Sequence, residues 1–111
     1  MRYLCLIFLD EKQMAEMPPR EMNALNVGHL VLNDELRASG NFVEAEALEP
    51  SPASATIRVR RGRTTVVDGP FAESKELVAG FYLIEACDMT EAIAIASGSE
   101  IPANWCIVRT A

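Results

Sequence analysis

Apolar positions follow two different periods along this chain. Tyr3-Leu4-Cys5-Leu6-Ile7-Phe8-Leu9 is apolar at both parities, and so is the stretch from Leu77 to Ile84. A strand with one wet face alternates, so each run reads as a strand covered on both sides. The first spans Arg2 to Leu9, and a polar loop, Asp10 to Pro19, follows. From Arg20 to Ser39 the period lengthens. Met22, Leu25, His29, Leu32 and Leu36 recur at three and four residues, the stripe of a helix. Ala24, Val27, Val31 and Ala38 form a weaker line opposite, which predicts a helix covered twice. Pro18-Pro19 suits its entrance and Gly40 its left-handed exit.

A second strand runs from Phe42 to Leu48 and breaks at Glu49-Pro50-Ser51-Pro52. Thr56 to Arg60 and Thr64 to Val67 form a hairpin around Arg61-Gly62, where glycine supplies a positive φ. After a loop from Asp68 to Glu76 comes the strand Leu77 to Ala86. Asp88 opens a second helix with Glu91 as capping-box partner, and Gly98 closes it. Its buried face is read as Met89, Ala92, Ile93 and Ala96. Trp105 to Arg109 is the last strand.

The order β-α-β-hairpin-β-α-β predicts an α+β fold, a ferredoxin-like sandwich with an antiparallel sheet and both helices on one face. The 111 residues make a single domain, 1–111. Two helices cover only one face of that sheet, yet Phe81 and Leu83 are as apolar as Tyr82 and Ile84. A second copy packing sheet to sheet is the economical cover, so a homodimer is expected. Each buried Leu, Ile or Phe contributes about 1.5–3 kcal/mol, which makes such an interface obligate.

Composition then narrows the partners. The net charge is −6, from 16 acidic and 10 basic residues, and a negative domain repels phosphate backbones. Nucleic acid is therefore not expected, even though Arg58, Arg60, Arg61 and Arg63 crowd the hairpin. Balance against Glu44, Glu46 and Glu49 explains those arginines. The N-terminal apolar run lacks a cleavage site and is too short to span a bilayer, so no membrane role is expected. Cys5, Cys87 and Cys106 lie in apolar runs without metal-ligand spacing. They read as buried hydrophobes in a reducing, cytoplasmic compartment, with no metal and no cofactor.

Two places could carry chemistry. Asp68-Gly69-Pro70-Phe71-Ala72-Glu73-Ser74-Lys75-Glu76 sets ionisable groups on a stiff Gly-Pro corner between strands. It reads as a charged turn or as the edge of a polar pocket. His29, the single histidine, sits on the apolar stripe. It is either a core residue bonded to a backbone carbonyl or a general base facing a cleft. Asp10 and Glu11 follow the first strand and approach the same cleft mouth, or form a solvated turn.

Residues 68 to 76, DGPFAESKE, resemble the signature of the DGPF-motif branch of the YCII-related family, with Ser74 where threonine is usual. YLCLIFLDE (3–11), NDELRASG (33–40) and GFYLI (80–84) are similar to its first strand, first-helix ending and later strand. The resemblance implies a dimeric α/β barrel. It also implies a suspected histidine–aspartate acid–base pair, with Asp68 at the position of the DGPF aspartate. Some members sit beside genes for alternative sigma factors, and relatives of the wider fold are isomerases, lyases and cofactor-free oxygenases.

Two functions are thus expected in parallel. One is an acid–base enzyme acting on a small polar or carbonyl compound, with Asp68 or His29 as acid–base group and Lys75 polarising an oxygen. Asp10, Glu73, Ser74 and Glu76 would bind the ligand. The other is a non-catalytic ligand-sensing or protein-binding module tied to transcription control.

Overall fold

In a computed structural model, which describes residues 1–70, 76–98 and 105–111, the two-sided apolar runs become the centre of one sheet. Strand β1 (Arg2–Asp10) pairs antiparallel with β5 (Glu76–Glu85) on one side and β6 (Trp105–Thr110) on the other. Strand β2 (Phe42–Ala47) closes the far edge against β5, giving the order β2-β5-β1-β6. Strands β3 (Ala55–Arg60) and β4 (Arg63–Asp68) pair only with each other, as a separate two-stranded sheet. With three α-helices among the described residues, the chain is an α+β protein built on antiparallel sheets.

The segment expected as a polar loop is a short helix, α1 (Glu11–Ala15). Asp10 causes it, because its Oδ1 accepts from the amides of Lys12 at 2.9 Å and Gln13 at 3.4 Å. Helix α2 (Pro19–Ser39) starts on Pro19 at its first position, where a missing N–H costs nothing. Gly40 ends it at φ 80, and the Asn41 amide donates to Leu36 O at 2.9 Å. Asn41 then donates through Nδ2 to Glu85 O at 2.7 Å and Glu91 Oε1 at 3.0 Å, tying α2 to β5 and α3 (Met89–Gly98).

The core lies on one face of the sheet. Tyr3, Cys5, Ile7, Tyr82 and Ile84 are buried there under Leu36 of α2 and Ala92 of α3. The apolar stripe of α2 is thus the covered side. The weaker line is not covered a second time: Val27 and Val31 are exposed. On α3, Met89 and Ile93 are exposed too, and Ile95 and Ala96 pack inward with Ala92 instead. Asp88 does cap α3, accepting from the Glu91 amide at 2.9 Å.

A bulge sets the register of β5. Ile7 pairs with Gly80 but Phe8 pairs with Val78, so Ala79 is an extra residue. Leu77 consequently joins Leu9 on the helix side, and Val78 joins Phe8 on the other. That other face carries Leu4, Leu6, Phe8, Phe81 and Leu83, all half-buried.

The hairpin turns on two left-handed residues, Arg61 at φ 50 and Gly62 at φ 76. Ile57, Val59, Val66 and Val67 are all more than half exposed along it. The hairpin does not pair with β2, which belongs to the other sheet. Among the described residues no ion pair links Arg60, Arg61 or Arg63 to a glutamate.

Candidate functional site

Between α2 and the sheet lies a cavity of about 490 Å³. Its wall is mainly apolar, with Leu9, Met14, Met22, Leu25 and Leu48 among the lining residues. Gly80 sits in it beside Tyr82, and a Cβ there would stand 2.7 Å from Glu46 O, so only glycine lets β2 come this close. Helix α1 supplies Met14. It is fastened by Glu11, whose carboxylate accepts from the Ser51 amide at 2.7 Å and the Ser51 hydroxyl at 2.6 Å.

The polar groups converge from two elements. His29 from α2 and Tyr82 from β5 meet with 2.6 Å between Nδ1 and the phenol oxygen. Their rings are 6.1 Å apart between centroids and 26° from parallel. Burial lowers the His29 pKa below its ordinary 6.5 and raises that of Tyr82 above its ordinary 10.0. Both groups are therefore neutral at pH 7, and one proton is shared along the bond between them. Asn33, one helical turn after His29, also lines the cavity, and its Oδ1 is buried with no hydrogen-bond partner among the described residues. His29 is thus neither bonded to a backbone carbonyl nor a plain core residue.

The profile of the YCII-related domain matches residues 1–105 of this sequence. The chain belongs to the YCII-related family. It is also 33% identical over 93 residues to an uncharacterised protein of Rhizobium meliloti (strain 1021), covering 84% of this chain and 75% of the relative.

This YCII-related chain does not gather all the residues its sequence nominated. His29 is in the cavity wall, whereas Asp68 ends β4 on the exposed hairpin and is not part of that wall. The Gly-Pro corner is held by its neighbours: Gly69 has φ 88, its amide donates to Ser54 O at 2.8 Å, and Thr56 Oγ1 donates to its carbonyl at 2.8 Å. Asp10 is buried as the α1 cap and faces Glu76 across the β1–β5 ladder. Glu73, Ser74 and Lys75 lie outside the described residues. Tyr82, Asn26 and Asn33 are polar lining residues that sequence reasoning missed, and Glu46, read only for charge balance, lines the cavity too. Asn33 had a signal, since a polar residue four positions after a lone histidine shares its helical face.

The cysteines also separate. Cys5 is buried in β1, and its thiol is pushed up to about 12 by burial and then by neighbouring Cys106. Cys87 is exposed and outside any strand, against expectation. Its Sγ donates to Glu91 Oε2 at 2.7 Å, and that bond raises its pKa. Among the described residues no group of three or more His, Cys, Asp or Glu could hold a metal. No described helix is long and apolar enough to cross a membrane.

Proposed function

We propose that the cavity binds a small compound with a mainly apolar body and one carbonyl group, and that His29 and Tyr82 move a proton on it. The 2.6 Å His29–Tyr82 pair in the cavity wall carries this reading. With Nδ1–H donated to the phenol oxygen, Nε2 keeps its lone pair and the phenol keeps its proton for the ligand. Nε2 then takes the proton from the carbon beside the carbonyl, while the Tyr82 hydroxyl donates to the carbonyl oxygen. The product is the enol, and return of the proton to a different carbon or face gives an isomer. Burial lowers the His29 pKa, which keeps the ring unprotonated and available as a base at neutral pH. The step needs no cofactor.

Incubation in D2O with a panel of small ketones tests it, with binding read by thermal shift and C–H to C–D exchange read by NMR. Exchange that is lost in His29→Gln, with the thermal shift kept, is the expected result. Binding without exchange for every ligand would replace the enzyme by the ligand-sensing module.

The same proposal includes assembly as a ferredoxin-like sandwich dimerised sheet to sheet into an α/β barrel. The strand order and the one-sided helices support it. So does the apolar outer face of Leu4, Leu6, Phe8, Phe81 and Leu83. The radius of gyration is 15.8 Å, against about 13 Å for a compact chain of this size, which also favours a partner under the projecting hairpin.

A further inference from the structure

We propose that strand β3 of one copy adds to the open β2 edge of a second copy, and that its Ile57 and Val59 complete the rim of that copy's cavity. The inference rests on the proposed dimer and goes beyond it, because it makes each cavity depend on the other chain. Strand β2 ends the order β2-β5-β1-β6, so one of its sides has no strand partner among the described residues. Strand β3 pairs with β4 alone and is open on its other side. Open edges invite another strand, and these two are both six residues long. On β2 the Ala45 amide donates to the Glu44 carboxylate at 3.0 Å, so a side chain stands where a neighbouring strand would accept.

Charge selects a second copy as the occupant. The hairpin, residues 55–68, holds four arginines and Asp68, a net +3. The whole chain is −6, which leaves −9 on the rest of it. A second hairpin repels this one, whereas the acidic body of a second copy attracts it. On β2, Glu44 and Glu46 are exposed and lie across from Leu83 and Phe81, on the outer face. On β3, Arg58 and Arg60 have the same spacing of two and so share one face.

Hydrogen-bond direction gives the register independently. The Leu48 amide donates inward to Ala79 O at 2.8 Å, so by alternation the backbone groups of Ala45 and Ala47 point outward. Arg60 and Arg63 close the two-residue turn, so those of Val59 and Ile57 point out of the hairpin. Antiparallel pairing of Val59 with Ala45 and of Ile57 with Ala47 joins outward groups to outward groups. That alignment also sets Arg60 opposite Glu44 and Arg58 opposite Glu46, so charge and hydrogen bonding agree on one register. Paired residues share a face. Ile57 and Val59 therefore come beside Ala47 and Ala45, which line the cavity, at the rim where Leu30 and Leu48 are exposed.

Cross-linking and charge exchange test it. Chains carrying Glu46→Cys and Arg58→Cys, both with Cys87→Ser to remove the exposed thiol, are coexpressed and treated with oxidised glutathione. Opposite residues that are not hydrogen-bonded to each other stand about 4.5 Å apart at Cα, within disulfide reach. A covalent dimer is expected from this pair, and not from either chain alone or from Glu46→Cys with Ile57→Cys. In sedimentation equilibrium, Arg58→Glu/Arg60→Glu and Glu44→Arg/Glu46→Arg should each self-associate about tenfold or more weakly, because like charges then face each other. Their equimolar mixture should regain wild-type association, since each hairpin again meets a body of opposite charge. Unchanged association of both reversed chains, or no cross-link from the Glu46–Arg58 pair, overturns the strand exchange. So does an equal yield from the Ile57 control. A wild-type dimer in those cases leaves the sheet-to-sheet assembly standing, whereas a folded wild-type monomer sinks both. Should the reversed chains be insoluble, the cross-link alone decides.

Discussion

A single hydrogen bond organises the candidate site, and it makes His29 a residue with a measurable pH signature. Its pKa is lowered on folding, so the unfolded chain binds the extra proton first as pH falls. Stability should therefore be unaffected by this group well above its ordinary 6.5 and should decline as pH falls below it, levelling off below the folded pKa. His29→Gln should flatten that part of the melting-temperature profile, measured against the wild type in matched buffers; an unchanged slope would count against a desolvated imidazole. Cys87 gives a second check at this scale. It is exposed while Cys5 is buried, so one thiol should react with a disulfide reagent in the native protein and Cys5 only after denaturant. Because the Glu91 carboxylate holds the Cys87 thiol protonated, Glu91→Gln should speed the native reaction. Labelling of Cys5 at a comparable native rate would show that β1 is not the packed centre described.

The Gly69-Pro70 corner is held through its backbone. Gly69 sits at φ 88, a conformation that costs a side-chain-bearing residue about 1–2 kcal/mol. Asp68 beside it is exposed. Gly69→Ala should thus destabilise by about that amount in urea unfolding, whereas Asp68→Asn should stay within about 0.5 kcal/mol of the wild type. Asp68→Asn should also leave ketone binding in the cavity intact. Loss of binding on that change would bring the corner into the site and return Asp68 to the acid–base role its motif suggested. The β5 bulge works in the same manner. One extra residue at Ala79 sends Leu77 toward the cavity side and Val78 outward, without any change in composition.

The whole chain is thin, 17 Å along its shortest axis, which is the thickness of one sheet with one helical layer. Its outer sheet face is apolar and half-buried, and the hairpin exposes Ile57, Val59, Val66 and Val67. Sedimentation at micromolar concentration should accordingly give a dimer, and a folded monomer under those conditions would refute the barrel assembly. Phe81→Asp or Leu83→Asp should yield insoluble protein and not a stable monomer, since each puts a charge into the apolar outer face of the sheet.

What the sequence determined by itself was local. Both two-sided strands, the α2 stripe from Met22 to Leu36, the Gly40 cap and the Arg61-Gly62 hairpin could be read from residues a few positions apart, because neighbours along the chain set periods, caps and turns. Family membership was legible for a similar reason, in the contiguous DGPFAESKE segment. The site was only half legible. His29 stood out as a lone histidine on an apolar stripe, but its partner Tyr82 is 53 residues away in a strand that read as core. Only strand register, with its bulge at Ala79, decides which face Leu77 and Val78 take. Only packing decides that Asp10 is buried as the cap of a five-residue helix too short to show a period. Tertiary structure settled these points because register and burial depend on which distant segments pair, and no local pattern carries that information.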